Sequence, residues 1–246
     1  MPELFDDTNV ERKYCFDIST TSSDGTAKKD TIELNVLGWE KVSGDIVWKG
    51  AHVLASQLAQ AGVDGVKGKS VLELGAGSGL LGMLAAKLGG HAVITDGDER
   101  EMPTLQENAA NFEDGLQLGG TLSAAFLDWG YEGAKAAEQA PESRLKKHSF
   151  DLVLGSDIVY IPQYIPLLAQ SIGYFLSPDG EGLIANTAVA TRTNQSEAQE
   201  LFLRSLDEAG LQVQVETPED KGVFEEGGQW AKTDYYLRIR HKAASA

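Results

Sequence analysis

Four short stretches of this chain carry side chains that could do chemistry together. The first, Val71-Leu-Glu-Leu-Gly-Ala-Gly-Ser-Gly-Leu-Leu-Gly82, ends an apolar run in Gly75, Gly77 and Gly79. Alternating glycines at such a turn let the backbone take positive φ and come close to a ligand. The second, Val93-Ile-Thr-Asp96-Gly-Asp98-Glu99, places Asp96 21 positions after Gly75. A carboxylate there can accept two hydrogen bonds from ribose hydroxyls, while Asp98 and Glu99 suit the cap of a following helix. The third, Phe126-Leu-Asp128-Trp129-Gly130, offers a carboxylate for an exocyclic amine beside an aromatic face for a purine. The fourth is Asp151-Leu-Val-Leu-Gly-Ser156-Asp157-Ile-Val-Tyr160. Each residue also has a plainer reading. The glycines could form a ligand-free turn, Trp129 could pack under the stretch that follows it, Asp157 could cap the next helix, and Tyr160 could fill core.

Two ligand classes compete for the glycine turn. Gly77-Ser-Gly79-Leu-Leu-Gly82 satisfies the dinucleotide pattern GxGxxG, but the strand already ends at Gly75, two residues too early. The pattern ExGxGxG fits in register as Glu73, Gly75, Gly77 and Gly79. A carboxylate at Glu73 suits a cationic ligand better than a pyrophosphate, because two negative charges in a partly desolvated site repel.

These stretches need strands and helices to converge. From Ser70 onward short apolar runs alternate with helical ones: strands over Val71–Leu74, Ala92–Thr95, Thr121–Leu127, Phe150–Gly155 and Gly182–Ala188, and helices over Leu80–Leu88, Glu101–Phe112, Gln163–Leu176 and Ser196–Ala209. Leu211–Glu216 and Asp234–Arg240 add two closing strands. Such alternation predicts an α/β fold, a mostly parallel sheet with helices on both faces. Val47 to Ala59 has helical spacing, ended by Gly62 and Gly65, and Tyr14–Ile18 with Thr31–Val36 predicts a hairpin around a Ser/Thr-rich loop. Gly130 to Lys147 reads as an insertion and Phe224 to Lys232 as a loop. With no linker in sight, the expectation is one domain over 1–246, with a hairpin extension over 1–46 and a core over 47–246.

With these residues in hand, the chain resembles the class I S-adenosylmethionine-dependent methyltransferases, whose first motif is the glycine loop. The resemblance implies a Rossmann-like seven-stranded sheet with an antiparallel last strand. It places Glu73 near the cofactor's ammonium end and Asp128 and Trp129 at the adenine. The segment Asp157-Ile-Val-Tyr160 resembles the Asp-x-x-Tyr motif of the cytosolic protein lysine methyltransferases, and Gly44-Asp-Ile-Val-Trp48 and Leu127-Asp-Trp-Gly130 agree. The resemblance runs from about Leu37 to Val189. It implies S-adenosylmethionine as cofactor, held by Trp48, Glu73, Gly75, Gly77, Gly79, Asp96, Asp128, Trp129 and Ser156. Asp157 would orient a substrate ammonium and could relay its proton outward, while Tyr160 would shape its channel. One departure is Lys49-Gly50-Ala51 after Trp48, where relatives often carry Pro or Asp followed by two alanines. A carboxylate beside the amine would raise the amine's pKa, so Asp157 as a base has the wrong sign.

Composition bounds the rest. The 246 residues, 42% hydrophobic, can bury a sizeable core, and no apolar run reaches the roughly 18 residues that span a bilayer. A net charge of −16 disfavours phosphate-backbone binding and suits a basic, lysine-bearing protein partner. Cys15 cannot form an internal disulfide and sits between Tyr14 and Phe16, which predicts a packed thiol in a reducing, cytoplasmic or nuclear setting. His52, His91, His148 and His241 lack metal-ligand spacing, so no metal is expected. The expected molecule is a monomeric protein-lysine methyltransferase acting without membrane or nucleic acid. Histidine, arginine or small-amine methylation, an NAD-linked oxidoreductase and an inactive cofactor-binding protein remain open.

Overall fold

Each apolar segment finds its cover in a layered α/β architecture. The computed structural model describes residues 9–21, 27–39, 47–114, 117–187, 195–216 and 235–243. Its elements run β1 (Asn9–Thr21), β2 (Ala27–Trp39), α1 (Lys49–Val66), β3 (Ser70–Leu74), α2 (Leu80–Lys87), β4 (His91–Asp96), α3 (Met102–Ala110) and β5 (Thr121–Phe126). They continue with α4 (Tyr131–Gln139), β6 (Phe150–Ser156), α5 (Ile165–Phe175), β7 (Leu176–Asn186), α6 (Gln195–Glu208), β8 (Leu211–Glu216) and β9 (Tyr235–His241). Seven strands form one sheet in the order β5-β4-β3-β6-β7-β9-β8. Pairing is parallel from β5 to β7, and β9 runs antiparallel to both β7 and β8. This is the Rossmann-like sheet, antiparallel closing strand included, that the resemblance implied.

Strand parity divides the core in two. Val71, Leu152, Leu154 and Leu183 point to one face and pack with residues of α1 and α2. Leu72, Leu74, Val153, Ile184, Leu237 and Ile239 point to the other and pack with α5 and α6. Strands apolar on both sides are what a doubly covered parallel sheet requires. The strands β1 and β2 pair antiparallel as an N-terminal hairpin. Ile18 and Val36 carry the hairpin into the α1/α2 core, and the Tyr14 ring lies 5.8 Å from the His52 ring of α1.

Several local expectations change. The stretch Gly130 to Lys147 is no bare insertion but contains α4, whose sequence YEGAKAAEQ buries only Ala134 and so shows no apolar stripe. Gly62 (φ 62°, ψ −163°) is non-helical and interrupts α1 where expected, but a second helical stretch runs on through Gly65 to Val66. Cys15 is exposed. Its neighbours Tyr14, Phe16 and Ile18 take the inward side of the strand, and alternation turns the thiol out. The Ser/Thr-rich loop at 22–26, Gly44–Ile46 and Phe224–Lys232 lie outside the described residues.

Candidate functional site

Strand order reverses at β3 and β6. The chain runs from β3 outward through β4 to β5, then returns to β6 and runs the other way. In open α/β sheets ligands bind beyond the carboxyl ends of the strands at this switch. The glycine loop leaves β3 there, Asp96 ends β4, Asp128 and Trp129 follow β5, and Ser156 and Asp157 end β6. All four stretches therefore come to one edge of the sheet.

The glycine loop needs its glycines for two distinct reasons. Gly75, Gly77 and Gly79 have φ of 59°, 53° and 83°, left-handed values that side chains disfavour. Gly75 is also where the chain packs on itself: a methyl there would come 2.7 Å from Ile158 Cγ2 and 3.1 Å from Trp129 Cζ2. The indole of Trp129 thus lies over the first turn of the loop. Its buried Nε1–H has no hydrogen-bond partner, a donor costly to leave unpaired.

Asp96 ties β4 to the loop. Its Oδ2 accepts from Gly77 N–H at 3.1 Å and its Oδ1 from Asp98 N–H at 3.0 Å. Burial raises the Asp96 carboxyl above its ordinary value, while N–H groups of Asp98, Gly77 and Gly97 pull the other way. A carboxylate has about four acceptor positions, so Asp96 can still receive a pair of hydroxyl donors. Asp128 is exposed, and its Oδ1 would lie 3.5 Å from a methyl placed on Gly97, so the ends of β4 and β5 face each other. Neither Asp98 nor Glu99 caps α3. Asp98 instead accepts from Arg100, both backbone N–H and guanidinium, and α3 starts one turn later with Glu101 making no side-chain cap bond.

Glu73 is placed differently from its sequence-stretch expectation. It shares parity with Val71, so its side chain turns toward α2 rather than into the cleft, and it is 3% exposed. Its Oε2 accepts from Gly82 N–H at 2.7 Å. Burial pushes the carboxyl up to about 8, against the N–H groups of Gly82 and Leu81 and reinforced by Asp96. The group is therefore mainly protonated at neutral pH. The argument that its negative charge selects a cationic ligand is corrected accordingly: Glu73 braces the first turn of α2 from behind the loop.

Asp157 departs furthest from the sequence reading. It has φ 52° and is 5% exposed. Its Oδ2 accepts from Gly50 N–H at 2.7 Å, and its Oδ1 accepts from Thr187 N–H at 2.6 Å and Thr187 Oγ1–H at 2.7 Å. Helix α1 has no acidic residue in its first turn, and its cap residue Trp48 makes no side-chain cap bond. Asp157, 107 positions away, supplies both the acceptor and the negative charge that a helix N-terminus attracts. It caps a helix, but not the next one. Three internal donors occupy most of its acceptor positions, so holding the start of α1 is a role it has whether or not it also meets a substrate ammonium. The departure at Gly50 follows from the same contact: a methyl there would stand 2.6 Å from Asp157 Oδ2 and 3.1 Å from Ala185 O.

Around this tie stand the remaining residues. Trp48, half-buried, opens α1 and its carbonyl accepts from Ala51 N–H. Ser156, half-buried, pairs with Ala185 across β6 and β7. Tyr160 is half-buried; burial first, then the negative field of Asp96, Asp98 and Glu101, holds its hydroxyl above the ordinary value. Three buried polar residues escaped sequence reading. Thr187 meets Asp157, Asn186 holds the backbone of Val159 through its Oδ1 at 3.1 Å, and Asn108 lies under the glycine loop. Asn in the interior of α3 was the one signal on offer, since it is a poor helix former. Among the described residues no group of three or more His, Cys, Asp or Glu could hold a metal ion, and no helix is long and apolar enough to cross a membrane.

Comparison with known proteins agrees with this geometry. Residues 27–209 match the model of a family described as lysine methyltransferase, a span that holds every residue named above as part of the site. The protein N-lysine methyltransferase METTL21A of Danio rerio is 36% identical over 144 residues, 57% of this chain and 60% of the relative. The EEF1A lysine methyltransferase 3 of Mus musculus is 32% identical over 161 residues, 65% of this chain and 60% of the relative. The chain thus matches less than two thirds of the length of either. A solved chain described as a methyltransferase and complexed with SAH superposes with a TM-score of 0.56 at 15% identity, covering 85% of this chain and 53% of that one.

Proposed function

Because the chain belongs to the lysine methyltransferase family, we propose that it transfers a methyl group from S-adenosylmethionine to the ε-amine of a lysine in a protein substrate. The observation that carries the reading is the convergence of the glycine loop, Asp96, Trp129 and Tyr160 at the strand switch, inside the span the family covers. The residues suit the cofactor. Asp96 keeps acceptor positions for two ribose hydroxyls, the Trp129 Nε1–H awaits an acceptor, and the glycines allow close backbone approach. When bound, S-adenosylmethionine supplies an electrophilic methyl group on a cationic sulfur, and that charge favours the neutral form of a nearby amine.

The chain's own part is to position. Asp157 fixes the start of α1, and with it Trp48, against the end of β6. Tyr160 stays a neutral phenol, able to accept from the substrate amine without taking its proton. The field of Asp96, Asp98 and Glu101 at Tyr160 draws a lysine ammonium toward the cleft, as does the net charge of −16. The ammonium drawn in must lose a proton to water before its lone pair could take up the methyl, and Tyr160 would hold that amine in line with the donor kept by the glycine loop, Asp96 and Trp129. In-line positioning of this kind can supply much of the rate. The relatives' names attach lysine methylation to them, one on EEF1A, and support a protein acceptor here.

Cytoplasmic residence and a monomeric state belong to the same proposal, supported by the lone Cys15 and the acid balance. The test is transfer of labelled methyl from S-adenosylmethionine into a lysate of cells lacking the protein, with mass spectrometry of the labelled band. Methyl-lysine in a protein is the expected product. Label confined to small molecules, or to histidine or arginine, refutes the lysine assignment.

A further inference from the structure

Asn108 lies in the interior of α3 and is 2% exposed. Its side chain makes three hydrogen bonds, all to backbone. Oδ1 accepts from Leu37 N–H at 3.0 Å, and Nδ2 donates to Leu37 O at 3.1 Å and to Ser78 O at 2.8 Å. The first two imitate the paired bonds of a neighbouring strand and hold β2 near its end. The third reaches the glycine loop, between Gly77 and Gly79. Asparagine has the acceptor and the two donors that this arrangement needs. Aspartate would bring an oxygen against two carbonyl oxygens, and leucine would leave the groups unpaired and buried.

The loop has few other fixtures. Gly77 N–H is held by Asp96, Gly79 N–H by Ala76 O and Ala76 N–H by Thr95 O. Asn108 supplies the tie at Ser78, and the same side chain fastens the end of β2 at Leu37. We propose that Asn108 is a positioning residue for the cofactor, making the docking of the N-terminal hairpin and the shape of the glycine loop one coupled unit. The hairpin then sets cofactor affinity without touching the cofactor. This inference rests on the methyl-transfer reading for its ligand, but the coupling is a property of the chain by itself.

The experiment compares wild type with Asn108→Ala and Asn108→Asp in the full chain. A control, Tyr174→Phe, loses its phenol's part-buried bond to Glu138, on a ring that neighbours Tyr131 and Phe175. Three readouts are taken: dissociation constant for S-adenosylhomocysteine, KM against kcat for the methyl donor, and amide hydrogen exchange. Both Asn108 variants should weaken S-adenosylhomocysteine binding about tenfold, raise the donor KM and leave kcat at saturation within about twofold, a fold-change in the range one or two lost hydrogen bonds give. Exchange should quicken together at Leu37 in β2 and in the glycine loop. The control should lower the melting temperature with cofactor affinity unchanged. If the Asn108 variants lose stability but keep wild-type affinity, or if exchange quickens at β2 and not in the loop, the coupling is wrong. If wild type binds no S-adenosylhomocysteine, the methyl-transfer reading fails, while joint deprotection of strand and loop still decides the tie.

Discussion

Removing the Asp157 carboxylate separates a structural tie from a catalytic group. Three donors converge on it: Gly50 N–H at 2.7 Å, Thr187 N–H at 2.6 Å and Thr187 Oγ1–H at 2.7 Å. In Asp157→Ala all three lose their acceptor where little solvent reaches, Thr187 being fully buried. An orphaned buried donor costs about 1–3 kcal/mol and three lose their acceptor here, so after relaxation the loss is about 4 kcal/mol. For a chain of this size that lowers the melting temperature by roughly 10 °C. In Asp157→Asn the amide oxygen can keep both Thr187 bonds, but its NH₂ then faces Gly50 N–H, a loss of about 1–3 kcal/mol. Gly50→Ala attacks the same contact from the other side, its methyl arriving 2.6 Å from Oδ2, for about 1–3 kcal/mol of overpacking. The double variant Gly50→Ala/Asp157→Ala removes the atom the methyl strikes, so its cost should fall short of the sum by about 1 kcal/mol or more. The assay is thermal and denaturant unfolding of all four proteins, with initial methylation rates across neutral pH. Rates should fall without any change in the shape of the pH profile. An Asp157→Ala protein that melts with wild type while its pH profile changes shape would refute the tie and restore Asp157 to proton transfer.

The two remaining predictions concern carboxyl groups nearer the cofactor. Glu73 has a folded pKa of about 8 against 4.5 for the free side chain. The raised value means its contribution to stability is fully present below about pH 4.5 and is lost progressively as pH rises from there through 8, a loss on the order of 5 kcal/mol. Glu73→Gln, neutral throughout, should flatten that decline in the protein without added cofactor. Unfolding curves taken at several pH values check it, and parallel declines for the two proteins would show that Glu73 is ionised in the fold. Asp96→Ala removes the acceptor for Gly77 N–H and, on the proposed reading, for ribose hydroxyls, so calorimetry should show about 10–100-fold weaker S-adenosylhomocysteine binding. Unchanged affinity would remove Asp96 from the cofactor site.

What the sequence disclosed depended on whether a signal was local. The strands β3, β4 and β6 end where short apolar runs meet Gly75, Asp96 and Asp157, and the turn at Gly75, Gly77 and Gly79 announces itself because only glycine takes those φ values cheaply. Helix α4 lacked such a signal. Its residues are small or polar and only Ala134 is buried, so no period of 3.6 could emerge. The direction of a side chain was harder still. Glu73 reads as a cleft carboxylate until strand parity is known, and parity is fixed by what covers each face of β3.

The roles of Asp157 and Asn108 were out of reach for a stronger reason. Each satisfies a backbone group far away in sequence, Gly50 at a separation of 107 and Leu37 at 71. No pattern in the intervening residues encodes such a pairing; it exists only once the sheet has closed and brought α1, β2 and the loops together. A helix start without its own cap, such as Trp48-Lys49-Gly50, is the trace such a bond leaves in sequence. The partner must then be an acceptor delivered from another strand end, and at the strand switch the acceptors on offer are the very carboxylates that look catalytic. An Asp in a motif that looks catalytic can thus hold the start of α1 against the end of β6, a role visible only in the folded chain.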